Sequence, residues 1–122
     1  EKKINEIASG IAKANGAEAK IEFHLTNKYP PTINSKNESE FAANVAKKIF
    51  GDANVNTEIN PSMGGEDFSY LLEKKPGSYL YIGQGDKNHK AHLHTTKYDF
   101  NDNLLPIGVN YWVELVKEYF SK

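Results

Sequence analysis

The chain is predicted to be an α/β protein, because segments with helical apolar spacing alternate with segments whose apolar residues recur every second position. Ile4, Ile7, Ala8, Ile11 and Ala12 fall on one helical face, and Gly16 stands where a left-handed C-terminal cap would close that helix. Ala19, Ile21, Phe23 and Leu25 then alternate with Lys20, Glu22, His24 and Thr26, the pattern of a half-buried strand. Pro30 and Pro31 end it, since neither ring nitrogen can donate to a sheet ladder.

The pattern restarts after the double proline. Asn37 with Glu40 predicts a capping box, and Phe41, Ala42, Val45, Ala46, Ile49 and Phe50 share the helical face that follows, closed by Gly51. Val55, Thr57 and Ile59 predict a short strand, turned by the sequence from Pro61 through Gly65. Residues 66–74 read as a short helix carrying Phe68, Leu71 and Leu72, and Pro76-Gly77 as a turn. Residues 78–83 form an apolar run of strand length, expected to be buried on both faces. Residues 86–92 are polar and read as a surface loop. Asn101 or Asp102 can cap a last helix whose Leu104, Leu105, Gly108, Tyr111, Trp112, Leu115, Val116 and Tyr119 predict a broad buried stripe.

A chain of 122 residues fits one domain with a modest core, and 39% hydrophobic with 25% charged residues belongs to a globular protein. A net charge of -1 gives no electrostatic case for nucleic acid or an anionic membrane as partner, and no apolar run is long enough to span a bilayer. The absence of cysteine removes disulfides, thiolate metal sites and cysteine nucleophiles, and the cytoplasm is the default compartment. Glu1 leads directly into a helical pattern without a visible cap, as expected of a piece of a longer product.

Two places could carry chemistry. His89, His92 and His94 crowd one loop, and neutral imidazole is a common metal ligand. Spacing alone leaves them as solvated loop residues, and His24 as a surface residue on a polar strand face. At Met63-Gly64-Gly65-Glu66-Asp67-Phe68-Ser69, paired glycines before a helix can present backbone N–H groups to a carboxylate or an oxyanion. The bland alternative is a tight turn whose Glu66 and Asp67 favour the first helical turn. Ser62 and Ser69 lack the elbow motif of a serine nucleophile, and Gly83-Gln84-Gly85 lacks the rest of a dinucleotide fingerprint.

Taken in order, these features resemble one family. Residues 29–34 (Tyr-Pro-Pro-Thr-Ile-Asn), the segment Met63 through Ser69, Pro76-Gly77 before an apolar run, and Leu93-His94-Thr95-Thr96 are similar to the zinc-type peptidase family of aminoacylases and carboxypeptidases, in its branch of hippurate and auxin-conjugate amidohydrolases. The resemblance implies that residues 1–28 are the final helix and edge strand of an inserted, ferredoxin-like lid domain used for dimerisation. It implies that residues 29–34 are the return linker and residues 35–122 the C-terminal portion of the catalytic domain. It also implies that His94 is a metal ligand, that Gly64 and Gly65 face the carboxylate end of the substrate, and that Glu66 and Asp67 support that turn.

The implied activity is hydrolysis of the amide bond of N-acyl amino acids by water activated on a divalent metal, with zinc first and manganese, cobalt or nickel as the other candidates. The remaining ligands and the general base of the family precede the part that this chain resembles, so the chain alone is expected to be inactive. Self-association through the lid strand is expected as well, because its apolar face would lack its usual cover. The rival reading is a small non-enzymatic α/β binding or interaction module.

Overall fold

A computed structural model describes residues 1–24 and 28–121, which divide between Pro30 and Pro31 into two compact units. In the first unit, Lys2–Ala14 forms helix α1. It ends in a Schellman motif: Gly16 adopts φ 69°, its N–H donates to the Lys13 carbonyl at 3.1 Å, and the Ala17 N–H donates to the Ala12 carbonyl at 2.9 Å. Glycine is needed here because a Cβ disfavours this left-handed backbone. The apolar face of α1 is open, with Ile4, Ile7 and Ile11 exposed at 54%, 60% and 61%.

The alternation after Ala19 does not become a strand over residues 19–24, and Leu25 lies outside the described residues. A strand needs a neighbour to receive its N–H and C=O groups, and α1 is the only regular element described in this unit.

The second unit holds α2 (Lys36–Phe50), α3 (Phe68–Leu72) and α4 (Leu104–Phe120), with a single 3-10 turn at Asp52–Asn54. The N-cap of α2 is Ser35 in an extended conformation, so Asn37 and Glu40 lie inside the helix and make no capping box. Gly51 closes α2 at φ 83°, and its N–H donates to the Lys47 carbonyl at 2.8 Å. Pro106 sits in the first turn of α4, where its missing N–H removes no helical hydrogen bond.

The core lies where α2 meets α4. Ala42, Val45 and Tyr111 are the apolar side chains that become fully buried among the described residues. The Tyr111 hydroxyl donates to the Ala42 carbonyl at 3.2 Å, and its ring lies 6.4 Å from that of Phe50. Phe41 meets Tyr119 edge-on at 6.1 Å, and Lys48 pairs with Glu118 at the surface.

The stripe on α4 is therefore narrower than its sequence predicts: Leu105, Trp112, Val116 and Tyr119 are exposed, because α2 is a single helix and covers one side only. The two strands expected over residues 55–59 and 78–83 are also absent among the described residues. For the second, side chains occupy the backbone groups that a neighbouring strand would use. Asn34 Oδ1 accepts from the Tyr79 N–H at 2.7 Å, and Asn34 Nδ2 donates to the Tyr79 carbonyl at 2.8 Å. The Ser35 N–H donates to the Gly77 carbonyl at 2.9 Å, and the Gly77 N–H donates to Ser35 Oγ at 3.1 Å. The α/β prediction thus gives way, over the described residues, to helices joined by extended but unpaired segments. No helix among them is long and apolar enough to cross a membrane.

Tyr111 makes the core testable. Y111F keeps the ring and removes one buried hydroxyl, and should lower unfolding free energy by about 1 kcal/mol. Burial pushes the Tyr111 phenol above its usual value of 10.0. The unfolded chain therefore ionises first, so this contribution is complete below about pH 10 and is lost as the pH rises above it. Urea titrations at pH 7 and pH 10.5 should show a smaller alkaline loss in Y111F than in the parent chain.

Candidate active site

The residues singled out by sequence fall on two turns of the second unit. The first runs from Met63 to Asp67 and leads into α3. Met63, Gly64 and Gly65 are exposed, and neither glycine has a positive φ. A Cβ built on Gly64 would meet only Ser62 Oγ, at 3.7 Å, which is ordinary contact. The fold of this unit leaves room for a side chain there and does not itself demand glycine.

Glu66 is the anchored end of that turn. Its carbonyl accepts from the Ser69 hydroxyl at 2.6 Å and from the Ser69 N–H at 3.2 Å, and Ser69 is completely buried. Its carboxylate accepts from the Tyr79 hydroxyl at 2.9 Å and from the Phe68 N–H at 3.4 Å. The Tyr79 hydroxyl is the main cause that holds the Glu66 carboxyl below the usual carboxylate range, and the same bond raises the Tyr79 phenol. Asp67 is exposed at the N-cap of α3 and makes no side-chain capping bond. A side-chain hydrogen bond with Asp67 acts on the Glu66 carboxyl in the same direction, second to that of Tyr79. The Ser69 hydroxyl is committed to Glu66, which removes it as a nucleophile.

Sequence reading missed Tyr79, which it took as one more apolar strand residue. Thirteen positions separate it from Glu66, so no local spacing could have paired them. Ring contacts steady it, with Phe68 at 5.5 Å and Tyr81 at 5.3 Å.

The second turn carries His94. Leu93 and His94 lie between the His92 carbonyl and the Thr95 hydroxyl that donates to it at 2.9 Å. His94 has φ 62° and is the one non-glycine residue with a positive φ among those described. Such a backbone is uncommon outside glycine, costs of order 1–2 kcal/mol, and collects at functional sites. The imidazole is exposed, and no described residue hydrogen-bonds it. The segment bearing it is closed at its base: Tyr98 Oη donates to Gln84 Oε1 at 3.1 Å, and Asn101 Nδ2 donates to the Gln84 carbonyl at 3.2 Å. A cavity of about 250 Å³ opens inside, lined in part by Ile82, His92, Leu93 and Phe100.

His89 is bound differently. Its Nδ1 lies 2.8 Å from Asp86 Oδ1, and that oxygen also accepts the backbone N–H groups of Asn88 (2.7 Å) and His89 (2.8 Å). These bonds, the backbone N–H of His89 first, hold the Asp86 carboxyl below its usual range. His92 is exposed. Among the described residues no hydrogen bond or ion pair joins His94 to the glycine turn. No group of three or more histidine, aspartate or glutamate side chains among the described residues is placed to hold a metal ion.

Comparison with known proteins supplies the context for these two turns. Residues 2–118 match the family model described as peptidase family M20/M25/M40. Hippurate hydrolase from Campylobacter jejuni is 35% identical over 99% of this chain and 30% of its own length. IAA-amino acid hydrolase ILR1-like 4 from Arabidopsis thaliana is 30% identical over 98% of this chain and 28% of its own length. N-acetyldiaminopimelate deacetylase from Enterococcus faecalis is 33% identical over 89% of this chain and 27% of its own length. No solved structure matches. The chain spans less than a third of the length of these relatives, and with nearly all of its residues matched it belongs to the peptidase family M20/M25/M40.

Proposed function

We propose that this chain is part of a metal-dependent amidohydrolase acting on N-acyl amino acids, and that by itself it is inactive. The relatives named hippurate hydrolase and IAA-amino acid hydrolase support the substrate class. The observation that carries the reading is His94: a free imidazole on a tied turn, held in a backbone conformation that histidine seldom adopts. The left-handed backbone costs stability wherever its loop imposes it, and a metal ligand that must be aimed gives that cost a use. Zinc is the metal proposed, with manganese, cobalt or nickel as alternatives that the same imidazole would accept. The other ligands and the general base are assigned to parts of the protein outside residues 1–122.

Gly64 and Gly65 are assigned to the carboxylate end of the substrate. The support is that Gly64 has space around it, so that the absence of a side chain serves an incoming group better than it serves the fold. Glu66 and Asp67 belong to the support of this turn. Residues 1–28 are proposed as the last helix and strand of a lid of mixed α and β structure, residues 29–34 as its linker, and residues 35–122 as the C-terminal part of the catalytic domain. Self-association through the lid strand, as a dimer, is proposed as well, and the exposed Ile4, Ile7 and Ile11 face of the preceding helix α1 is in keeping with a unit that lacks its usual cover. The compartment proposed is the cytoplasm.

Four outcomes test this reading. Replacing His94 with alanine in the full-length protein should remove bound metal and lower amide hydrolysis at least a hundredfold; survival of both would overturn the assignment. Measured by denaturation of the 122-residue chain, His94→Gly should be more stable than His94→Ala by about 1 kcal/mol, because only glycine relieves the left-handed backbone. Gly64→Ala should leave thermal stability nearly unchanged while raising KM for an N-acyl amino acid; an unfolded variant would show that the glycine serves the fold. Chelator-sensitive amide hydrolysis by the purified 122-residue chain would refute its proposed inactivity.

A further inference from the structure

We infer that Tyr79 is the positioning residue of the glycine turn: its backbone is held by the Asn34 side chain, and its hydroxyl holds the Glu66 carboxylate. Gly64 and Gly65 are then presented in one orientation to the carboxylate of the substrate. This inference rests on the proposed function of that turn and assigns the residue that fixes it.

The chain of contacts is continuous. Asn34 makes two hydrogen bonds to the Tyr79 backbone, at 2.7 and 2.8 Å, the pairing that a neighbouring strand would give. The Tyr79 ring packs against Phe68 and Tyr81, with centroids at 5.5 and 5.3 Å. That hydroxyl donates to Glu66 Oε2 at 2.9 Å, a charge-assisted bond to an ionised acceptor. Glu66 is also pinned through its carbonyl by the buried Ser69. The residue directly after Gly65 is thus held at both its backbone and its side chain, which limits the freedom of the glycine pair from that side.

The alternative role for Glu66 is that of a general base. A base at neutral pH requires a carboxyl raised toward the working pH. Here the hydroxyl donor acts in the opposite direction and keeps Glu66 ionised and bonded. The Tyr79 hydroxyl is already committed to Glu66, so both residues act through the turn and touch no reacting atom.

The test uses Y79F and E66Q in the full-length protein with two substrates, an N-acyl amino acid and the same compound with its carboxylate capped as a carboxamide. Y79F keeps the ring and its packing. It should raise KM for the carboxylate substrate about tenfold, with kcat within about threefold, and leave KM for the carboxamide unchanged. E66Q retains an acceptor for the hydroxyl and should show the same split at smaller amplitude, which keeps the test open if Y79F folds poorly. Equal losses on both substrates, or no loss on either, would overturn the inference. If the parent protein hydrolyses neither substrate, the proposed function fails and the brace is read by NMR instead. The Glu66 carboxyl midpoint should then move up in Y79F, with shifted amide resonances at Gly64 and Gly65. An unmoved midpoint would overturn the brace independently of activity.

Discussion

The second unit depends on how the backbone of Gly77 and Tyr79 is satisfied. An extended segment carries N–H and C=O groups that must find partners or water, and a sheet is the usual answer. Here Asn34 and Ser35 supply them from side chain and backbone together, at 2.7 to 3.1 Å. This ties the entry of α2 to the segment beyond Gly77. It also aims the Tyr79 ring at Phe68 and its hydroxyl at Glu66.

Helices were legible in the sequence because their signals are local. The Ile4, Ile7, Ile11 spacing and Gly16 locate α1 and its Schellman close, and Phe41 through Gly51 locate most of α2. What was not legible depends on residues far apart. The N-cap position of α2 is Ser35 rather than Asn37, and its hydroxyl, instead of capping the helix, accepts from Gly77 across 42 positions. The apolar run at residues 78–83 has strand composition, but composition cannot say whether a partner strand lies within reach, and among the described residues none does. The broad stripe on α4 fails for the same reason: the pattern records what a helix is suited to bury, not what covers it.

The candidate site divides in the same way. His94 could be separated from His89 and His92 by its place in Leu93-His94-Thr95-Thr96, and the structure adds a physical distinction between them. His89 is engaged by Asp86, while His94 has a free ring and a left-handed backbone. The glycine pair could be found by eye, but Tyr79 could not, since nothing in an apolar run marks one hydroxyl as the brace of a turn 13 positions earlier.

Polar brackets rather than an apolar core hold both candidate turns. The fully buried apolar side chains are confined to the α2–α4 contact, whereas the His94 segment is closed by Gln84, Tyr98 and Asn101, and the glycine turn by Ser69 and Tyr79. Hydrogen bonds fix direction where apolar contact mainly fixes distance, since their strength falls steeply with misalignment. For the roles proposed, aiming an imidazole from one turn and backbone N–H groups from the other, direction matters above all. The same reasoning explains why strain can persist at His94. The bracket at its base sets the loop's endpoints, and the Thr95 hydroxyl bond to the His92 carbonyl sets the turn between them. Within those limits, the left-handed conformation at position 94 follows from the closure of the loop around it.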